Sequence, residues 1–157
     1  VKLTHTDNEG KARMVDISEK PINVRTAEAT AKVRMSSESF NAVKNNSISK
    51  GDVLAVARIG AIQAGKRTSD IIPLCHNIPI STLDIEFDLS ETEHSITVKS
   101  LAKTVAATGI EMEAITSATI AAVIIYDMCK AIDKGITISD IKLLSKTGGK
   151  SGDFNNE

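Results

Sequence analysis

The chain has 157 residues, 41% of them hydrophobic, 3% aromatic and 25% charged, with a formal net charge of -1. That balance excludes a disordered polymer, and it excludes an overall field that would draw the protein to nucleic acid or to an anionic membrane. With no Trp, one Tyr and three Phe, the chain also lacks the flat faces of a surface that binds single strands by stacking bases.

The length points to a single domain over 1–157, able to bury roughly 70% of the unfolded chain's surface. Residues 1–22 are polar and punctuated by Gly10 and Pro21, and read as an N-terminal arm. From 26 to 35, Ala27, Ala29, Ala31, Val33 and Met35 alternate with Thr26, Glu28, Thr30, Lys32 and Arg34, the period of a strand with one buried face. Ser36 or Ser37 is placed to cap a short helix carrying Phe40 and Val43. A second helix is expected from about 51 to 64, where Ala57, Gly60, Ala61 and Ala64 would let another backbone approach closely. Pro73 rules out a long helix after Thr68.

Leu83, Ile85, Phe87 and Leu89 alternate with acids and predict a strand over 81–89, with Ile96 and Val98 returning as its hairpin partner. Gly109 precedes the longest expected helix, about 111–133, whose middle is apolar almost all round. Such a helix needs burial on several sides, which in a domain of this size implies a subunit interface as well as a core. Residues 136–146 read as a last strand, and 147–157 as a flexible glycine-rich tail. Strands separated by helices, with a hairpin between them, predict an α+β fold: a two-layer, ferredoxin-like sandwich with a mainly antiparallel sheet and helices on one face. The apolar stretch 114–126 is short for a membrane span and contains Thr116, Ser117 and Thr119. Cys75 and Cys129 form neither a CxxC motif nor a disulfide framework, and 1–8 shows no basic-then-apolar leader, so a cytoplasmic location is expected.

Charge is placed unevenly. Residues 82–93 hold Asp84, Glu86, Asp88, Glu91 and Glu93 and no Lys or Arg. Residues 130–152 hold Lys130, Lys134, Lys142, Lys146 and Lys150 against Asp133 and Asp140. A local anion site fits this better than a long basic track.

Four features bear on chemistry. Gly60-Ala-Ile-Gln-Ala-Gly65-Lys66-Arg67 nearly fits the phosphate-cradling loop G-x-x-x-x-G-K-[ST], and 123–127 reads as an apolar strand ending in an Asp that could hold magnesium. The rival reading is therefore a P-loop-like GTP-binding hydrolase, although Arg67 replaces the metal-binding hydroxyl and Pro73 denies the loop its helix. Asp127 and Lys130 lie three apart on one helix face. That spacing ordinarily makes a solvated ion pair, but here the pair follows directly on the apolar middle of the helix, where charge needs partners or a site. Pro73-Leu74-Cys75-His76 presents an imidazole beside a thiol on a proline-bounded turn. His5, His94 and Cys129 are too scattered in sequence to complete a zinc site with it, so no metal ligands are assigned. Finally, Lys50, Lys66, Lys146 and Lys150 lie at loops and element ends, where ammonium groups from separate segments can converge on a phosphate chain.

The same residues carry a family pattern. Met14-Val-Asp-Ile-Ser18, Lys50-Gly-Asp52, Ala61-Ile-Gln-Ala-Gly-Lys-Arg-Thr68, Ile72-Pro-Leu-Cys-His76, Thr108-Gly-Ile-Glu-Met-Glu-Ala114, Tyr126-Asp-Met-Cys-Lys-Ala131 and Lys146-Thr-Gly-Gly-Lys-Ser-Gly-Asp153 fall in one order over nearly the whole chain. Together they resemble the cyclic pyranopterin monophosphate synthase family of molybdenum cofactor biosynthesis. The resemblance implies a lyase that takes 3′,8-cyclo-7,8-dihydroguanosine 5′-triphosphate to cyclic pyranopterin monophosphate and releases pyrophosphate. It implies Asp127, Lys130 and Lys50 as catalytic residues. Leu74, Cys75 and His76, Met112 and Glu113, and the phosphate contacts Lys66, Arg25, Lys146 and Lys150 become substrate-binding residues. No cofactor is required by the sequence, although Mg2+ can accompany the triphosphate. The implied assembly is a homohexamer, a trimer of dimers with its site between subunits, and neither nucleic acid nor membrane is a partner.

Overall fold

The computed structural model describes residues 6–7, 9–150 and 152–156. His5 and Ser151 lie outside the described residues, as do 1–5 and 8 of the leader segment. The chain runs β1 (Asn23–Arg34), α1 (Ser37–Lys44), α2 (Val53–Lys66), α3 (Thr68–Ile71), β2 (Thr82–Ser90), β3 (Ser95–Ala106), α4 (Glu111–Cys129), β4 (Thr137–Thr147) and β5 (Phe154–Asn155). All strand pairings are antiparallel, in the order β2-β3-β1-β4-β5. Leaving aside β5 and the short α1 and α3, the order β-α-β-β-α-β is the split βαβ plan of the ferredoxin-like fold, so the expected α+β sandwich is the one found.

Side-chain size explains how the two layers meet. On β1 the helix-facing residues Ala27, Ala29 and Ala31 are essentially inaccessible, and so are Ala114, Ala118, Ala121 and Ala122 of α4. Alanine against alanine lets α4 lie close over the central strands. Ser100 of β3 fastens the two by donating to the Ala114 carbonyl at 2.6 Å. Ser117 and Thr119, polar residues in an apolar helix, bond back to the carbonyls of Glu113 and Ile115, each at 2.8 Å. By length and composition α4 could cross a membrane, but more than half of it is buried inside this fold, which accounts for its hydrophobicity. Phe40 of α1 and Ile125 of α4 are also buried, each worth about 1.5–3 kcal/mol by transfer from water.

Helix α2 runs antiparallel to α4. Gly60 faces Ile124, and Gly65 faces Ser117 and the backbone of Glu113. The caps follow the sequence: Ser36 Oγ accepts from Ser39 N at the start of α1, and Asp52 accepts from Ala55 N at the start of α2. Pro73 leaves only the four-residue α3 behind α2.

Three features depart from the sequence reading. Strand β3 continues to Ala106, well past Val98, because Ser100, Ala102, Thr104 and Ala106 keep the alternation in small residues rather than large ones. Helix α4 stops at Cys129, and the turn after it is closed by Ile132 N and Asp133 N donating to the Cys129 carbonyl. The segment after Thr147 folds back as β5, pairing Phe154 with Lys146 and Asn155 with Ser145. That return needs Gly148: its φ is +78°, and a Cβ there would lie 2.2 Å from the Val24 carbonyl oxygen.

Candidate active site

The candidate residues gather at the two ends of α4. At the carboxyl end, Asp127 stands between two ammonium groups. Lys130 Nζ donates to Oδ1 at 2.6 Å, and Lys50 Nζ lies 3.2 Å from Oδ2 and 2.7 Å from the Asp127 carbonyl oxygen. The last four carbonyls of a helix have no partner inside it, so Lys50 caps α4 while it pairs with the side chain. Lys50 reaches the helix end from the loop between α1 and α2, where Asn46 at φ 52° and Gly51 at φ 107° reverse the chain. The side-chain hydrogen bonds of Lys130 and Lys50, with their charges, hold the Asp127 carboxyl below the usual carboxylate range. Asp127 in turn raises Lys130 above the ordinary lysine value. All three side chains are open to solvent. Beneath them Cys129 is fully buried and its thiol is pushed up by burial, which makes it a packing residue rather than a nucleophile.

The amino end of α4 is built differently. Arg25, near the start of β1, is 7% exposed, and its guanidinium donates to the carbonyls of Ala106 at 3.0 Å and Ala107 at 3.2 Å. Lys146 sits opposite Ala27 on the helix-facing side of β4 and bonds Glu111 at 2.8 Å. These groups line a cavity of about 160 Å³ in which Lys20, Arg25, Lys146 and Lys150 stand against one carboxylate, Glu111. Burial alone would push Glu111 up, but the Lys146 bond, its own backbone N–H and the charges of Lys146 and Arg25 bring it below the ordinary value. Glu113, 5% exposed, goes the other way: burial raises it, and the charge of Glu111 adds to the rise.

The Leu74–His76 turn lies on this same side. Burial and the charges of Glu113 and Glu111 raise the Cys75 thiol, and His76 Nε2 is 2.8 Å from the Val15 carbonyl oxygen. Leu74 and Met112 are half-buried, and Lys66 is exposed in the last turn of α2.

A helix rises about 1.5 Å per residue, so the step from Glu111 to Asp127 is about 24 Å. Within one chain, then, Asp127, Lys130 and Lys50 come together, Arg25, Lys146 and Lys150 come together, and the two groups stand apart. His76 belongs with the second group.

The rival phosphate loop does not form. Residues 60–66 are the last turns of α2 rather than a loop, with Gly60 and Gly65 used for close approach to other side chains, and 123–127 are helical rather than a strand. Among the described residues no three His, Cys, Asp or Glu side chains gather to hold a metal ion.

The profile of the MoaC family matches residues 14–149. Cyclic pyranopterin monophosphate synthase of Peptoclostridium acidaminophilum is 53% identical over 157 residues, covering 100% of this chain and 99% of that protein. The protein of the same name from Clostridium acetobutylicum is 54% identical over 152 residues, covering 97% and 94%. That of Bacillus subtilis is 50% identical over 157 residues, covering 99% and 92%. The chain belongs to the MoaC family.

Two residues of this MoaC-family chain escaped the sequence reading. Glu111 is the partner of Lys146, and Lys20 joins the cation-lined cavity. Glu111 had a signal, since an acid in the first turn of a helix favours the amino end of the macrodipole. Lys20 had none: it lies in the polar arm, and only the fold brings 20 beside 146.

Proposed function

We propose that this chain converts 3′,8-cyclo-7,8-dihydroguanosine 5′-triphosphate to cyclic pyranopterin monophosphate with release of pyrophosphate, as a lyase of molybdenum cofactor biosynthesis. Full-length relatives at about half identity carry the synthase name. The observation that carries the reading is the carboxylate clasped by two ammonium groups, Lys50–Asp127–Lys130, in a chain that keeps a separate cavity of four cations. Opening the purine's five-membered ring, building the pyranopterin tricycle and closing the α-phosphate into a cyclic ester all move protons. Asp127 accepts them as a carboxylate, and Lys130 and Lys50 supply or stabilise them. Expelling pyrophosphate concentrates negative charge on the leaving group, which Arg25, Lys146, Lys150 and Lys66 neutralise. His76 with Leu74 and Cys75, and Met112 with Glu113, line the base side of the substrate. Any magnesium travels with the triphosphate as its counter-ion.

The separation of the two groups along α4 favours a site completed by a second copy. Val56 and Ile59 on α2 and Val123 on α4 leave an apolar face exposed between the two ends. A two-fold contact across that face would set Asp127 of one copy beside the Arg25–Lys146 end of the other. In the assembly we adopt, a homohexamer built as a trimer of dimers, each dimer holds two such sites. A cytoplasmic location fits two free cysteines, one partly and one fully buried.

The test is chromatographic: purified protein is given the cyclised dihydro-GTP and the fluorescent oxidised pterin is followed. Absence of product from the intact, folded protein sinks the reading. Mixing Asp127→Asn subunits with Lys146→Ala subunits, each inactive alone, is expected to restore turnover. If no mixture recovers activity, the shared site is wrong even where the synthase activity stands.

A further inference from the structure

We propose that Asp133 is the positioning residue of the Lys50–Asp127–Lys130 cluster, holding the Lys50-bearing segment in register with the carboxyl end of α4. Asp133 is half-buried in the turn after α4, and each of its carboxylate oxygens has one backbone N–H to accept. Oδ2 takes Ser36 N at 2.7 Å, and Oδ1 takes Gly135 N at 2.8 Å. The second bond shapes the turn itself. The first crosses to another element, because Ser36 is the N-cap of α1.

Helix α1 and the loop behind it are tied together by local backbone hydrogen bonds. The eight-residue helix is closed at its carboxyl end by Asn45 N to Asn41 O and Ser47 N to Ala42 O, and Gly51 N to Ile48 O closes the next turn. Lys50 stands in that turn and reaches back to the Asp127 carbonyl and carboxylate. The end of α4 therefore grips the α1 segment at two points, one just before and one after an eight-residue helix about 12 Å long. Asp133 holds the amino end of the segment, and the ammonium of Lys50 reaches Asp127 beyond its carboxyl end. Phe40 and Val43 bury one face of α1 in the core, and Met35 N, just before the helix, donates to the His94 carbonyl at 3.1 Å. To these holds the Asp133–Ser36 bond adds a directional tie to the end of α4.

The charged groups facing Asp127 are Lys130 on its own helix and Lys50 from the loop. With the Asp133 bond removed, Lys130 stays where it is, and the segment that carries Lys50 keeps its core packing but loses its directional tie to the end of α4. The Asp127 carboxyl then moves up toward the ordinary carboxylate value, since one of the two ammonium groups that depress it is held less closely.

The proposal rests on the proton-transfer reading of Asp127 for its catalytic meaning but not for its test. The side-chain carboxyl of Asp127 is titrated by carbon NMR in the full-length protein and in Asp133→Ala, Asp133→Asn, Ser36→Ala and Ser36→Pro variants. Ser36 has φ -63°, the value a proline ring imposes, so Ser36→Pro deletes the donor to Asp133 without straining φ. Ser36→Ala removes the hydroxyl, with its cap and its own contact to Asp133, but keeps that N–H.

An upward shift of the Asp127 titration in Asp133→Ala and Ser36→Pro, a smaller one in Asp133→Asn and the smallest in Ser36→Ala is the expected pattern. In turnover, kcat is expected to fall by up to about 100-fold in the same order with KM nearly unchanged, since an ångström of misplacement costs that much. An Asp127 titration unmoved in folded Asp133→Ala and Ser36→Pro proteins overturns the positioning role. A shifted titration with undiminished kcat leaves the positioning intact and removes Asp127 from the chemistry instead. Should Asp133→Ala fail to fold, the Ser36 pair and Asp133→Asn decide.

Discussion

The two ends of α4 carry similar charged groups but hold them by different means. At the amino end, Arg25 is buried and tied to two backbone carbonyls, Lys146 is tied to a half-buried Glu111, and Glu113 is sunk beside them. At the carboxyl end, Asp127, Lys50 and Lys130 are exposed and hold mainly one another, with the helix's own carbonyl as a fourth member. A buried cation bound to backbone is preorganised and structural at the same time. An exposed cluster of mobile side chains contributes little to stability and can change partners during a reaction. The contrast separates buried cations tied to backbone from an exposed ion cluster, and on the proposed reading it makes stability and activity respond differently at the two ends.

The sharpest break in that contrast comes from Asp127→Asn. Removing a positioned acid–base group typically costs about 10²- to 10⁴-fold in rate. Because the side chain is exposed, the variant is expected to lose pterin formation on that scale while its thermal unfolding stays where it was. A large fall in melting temperature would mean that the carboxyl end is structural after all. Arg25→Ala should do the opposite at the other end and damage both properties. It leaves the Ala106 and Ala107 carbonyls without their donor, a loss of about 1–3 kcal/mol in denaturant unfolding, together with weaker binding of pyrophosphate by calorimetry.

A subtler probe uses the contact between α2 and α4. A Cβ on Gly65 would lie 2.4 Å from Leu83 Cδ2 and 2.5 Å from Ser117 Oγ, in a buried seam next to Glu113. Gly65→Ala is therefore expected to cost about 1–3 kcal/mol by overpacking, with NMR shift changes confined to the Glu113 end. At Gly60 the obstacle is the tip of Ile124, which can rotate away. Gly60→Ala should be neutral, or stabilising by up to about 1 kcal/mol of helix propensity. Equal effects at the two glycines would show that the seam is no tighter at one end than in the middle.

How much of this was legible in the sequence follows from which interactions are local. The alternation in β1, the Ser36 cap, the stop at Pro73 and the β2–β3 hairpin are set by neighbours within a few residues, and the structure keeps each of them. The i,i+3 spacing of Asp127 and Lys130 was likewise readable. Lys50 was joined to them through the resemblance alone, since its place depends on how α1 packs and where Gly51 turns the chain. The β5 return was missed because two residues give no period; its cause is a glycine forced by contact with Val24. The cations named for phosphate were found by type and by resemblance, whereas the grouping of Arg25, Lys146 and Lys150 around Glu111, without Lys66, is a property of the sheet register that sets Lys146 opposite Ala27.

The mildest expected effect lies at Glu113. Its folded pKa is raised by burial and by the charge of Glu111, so ionising it is harder in the native protein than in the unfolded chain. Below the unfolded carboxyl pKa both states are protonated and the group has no influence on stability. As pH rises from there through the raised folded value, the native state binds more protons than the unfolded one, and stability declines by linkage. Above the folded value the full penalty is present. Glu113→Gln removes the charge and keeps the shape, so it should raise the melting temperature at neutral pH and leave it unchanged at acid pH, while substrate binding weakens. If the gain is the same at both pH values, burial of the Glu113 charge is not its source, and the amino end of α4 holds less strain than its geometry implies.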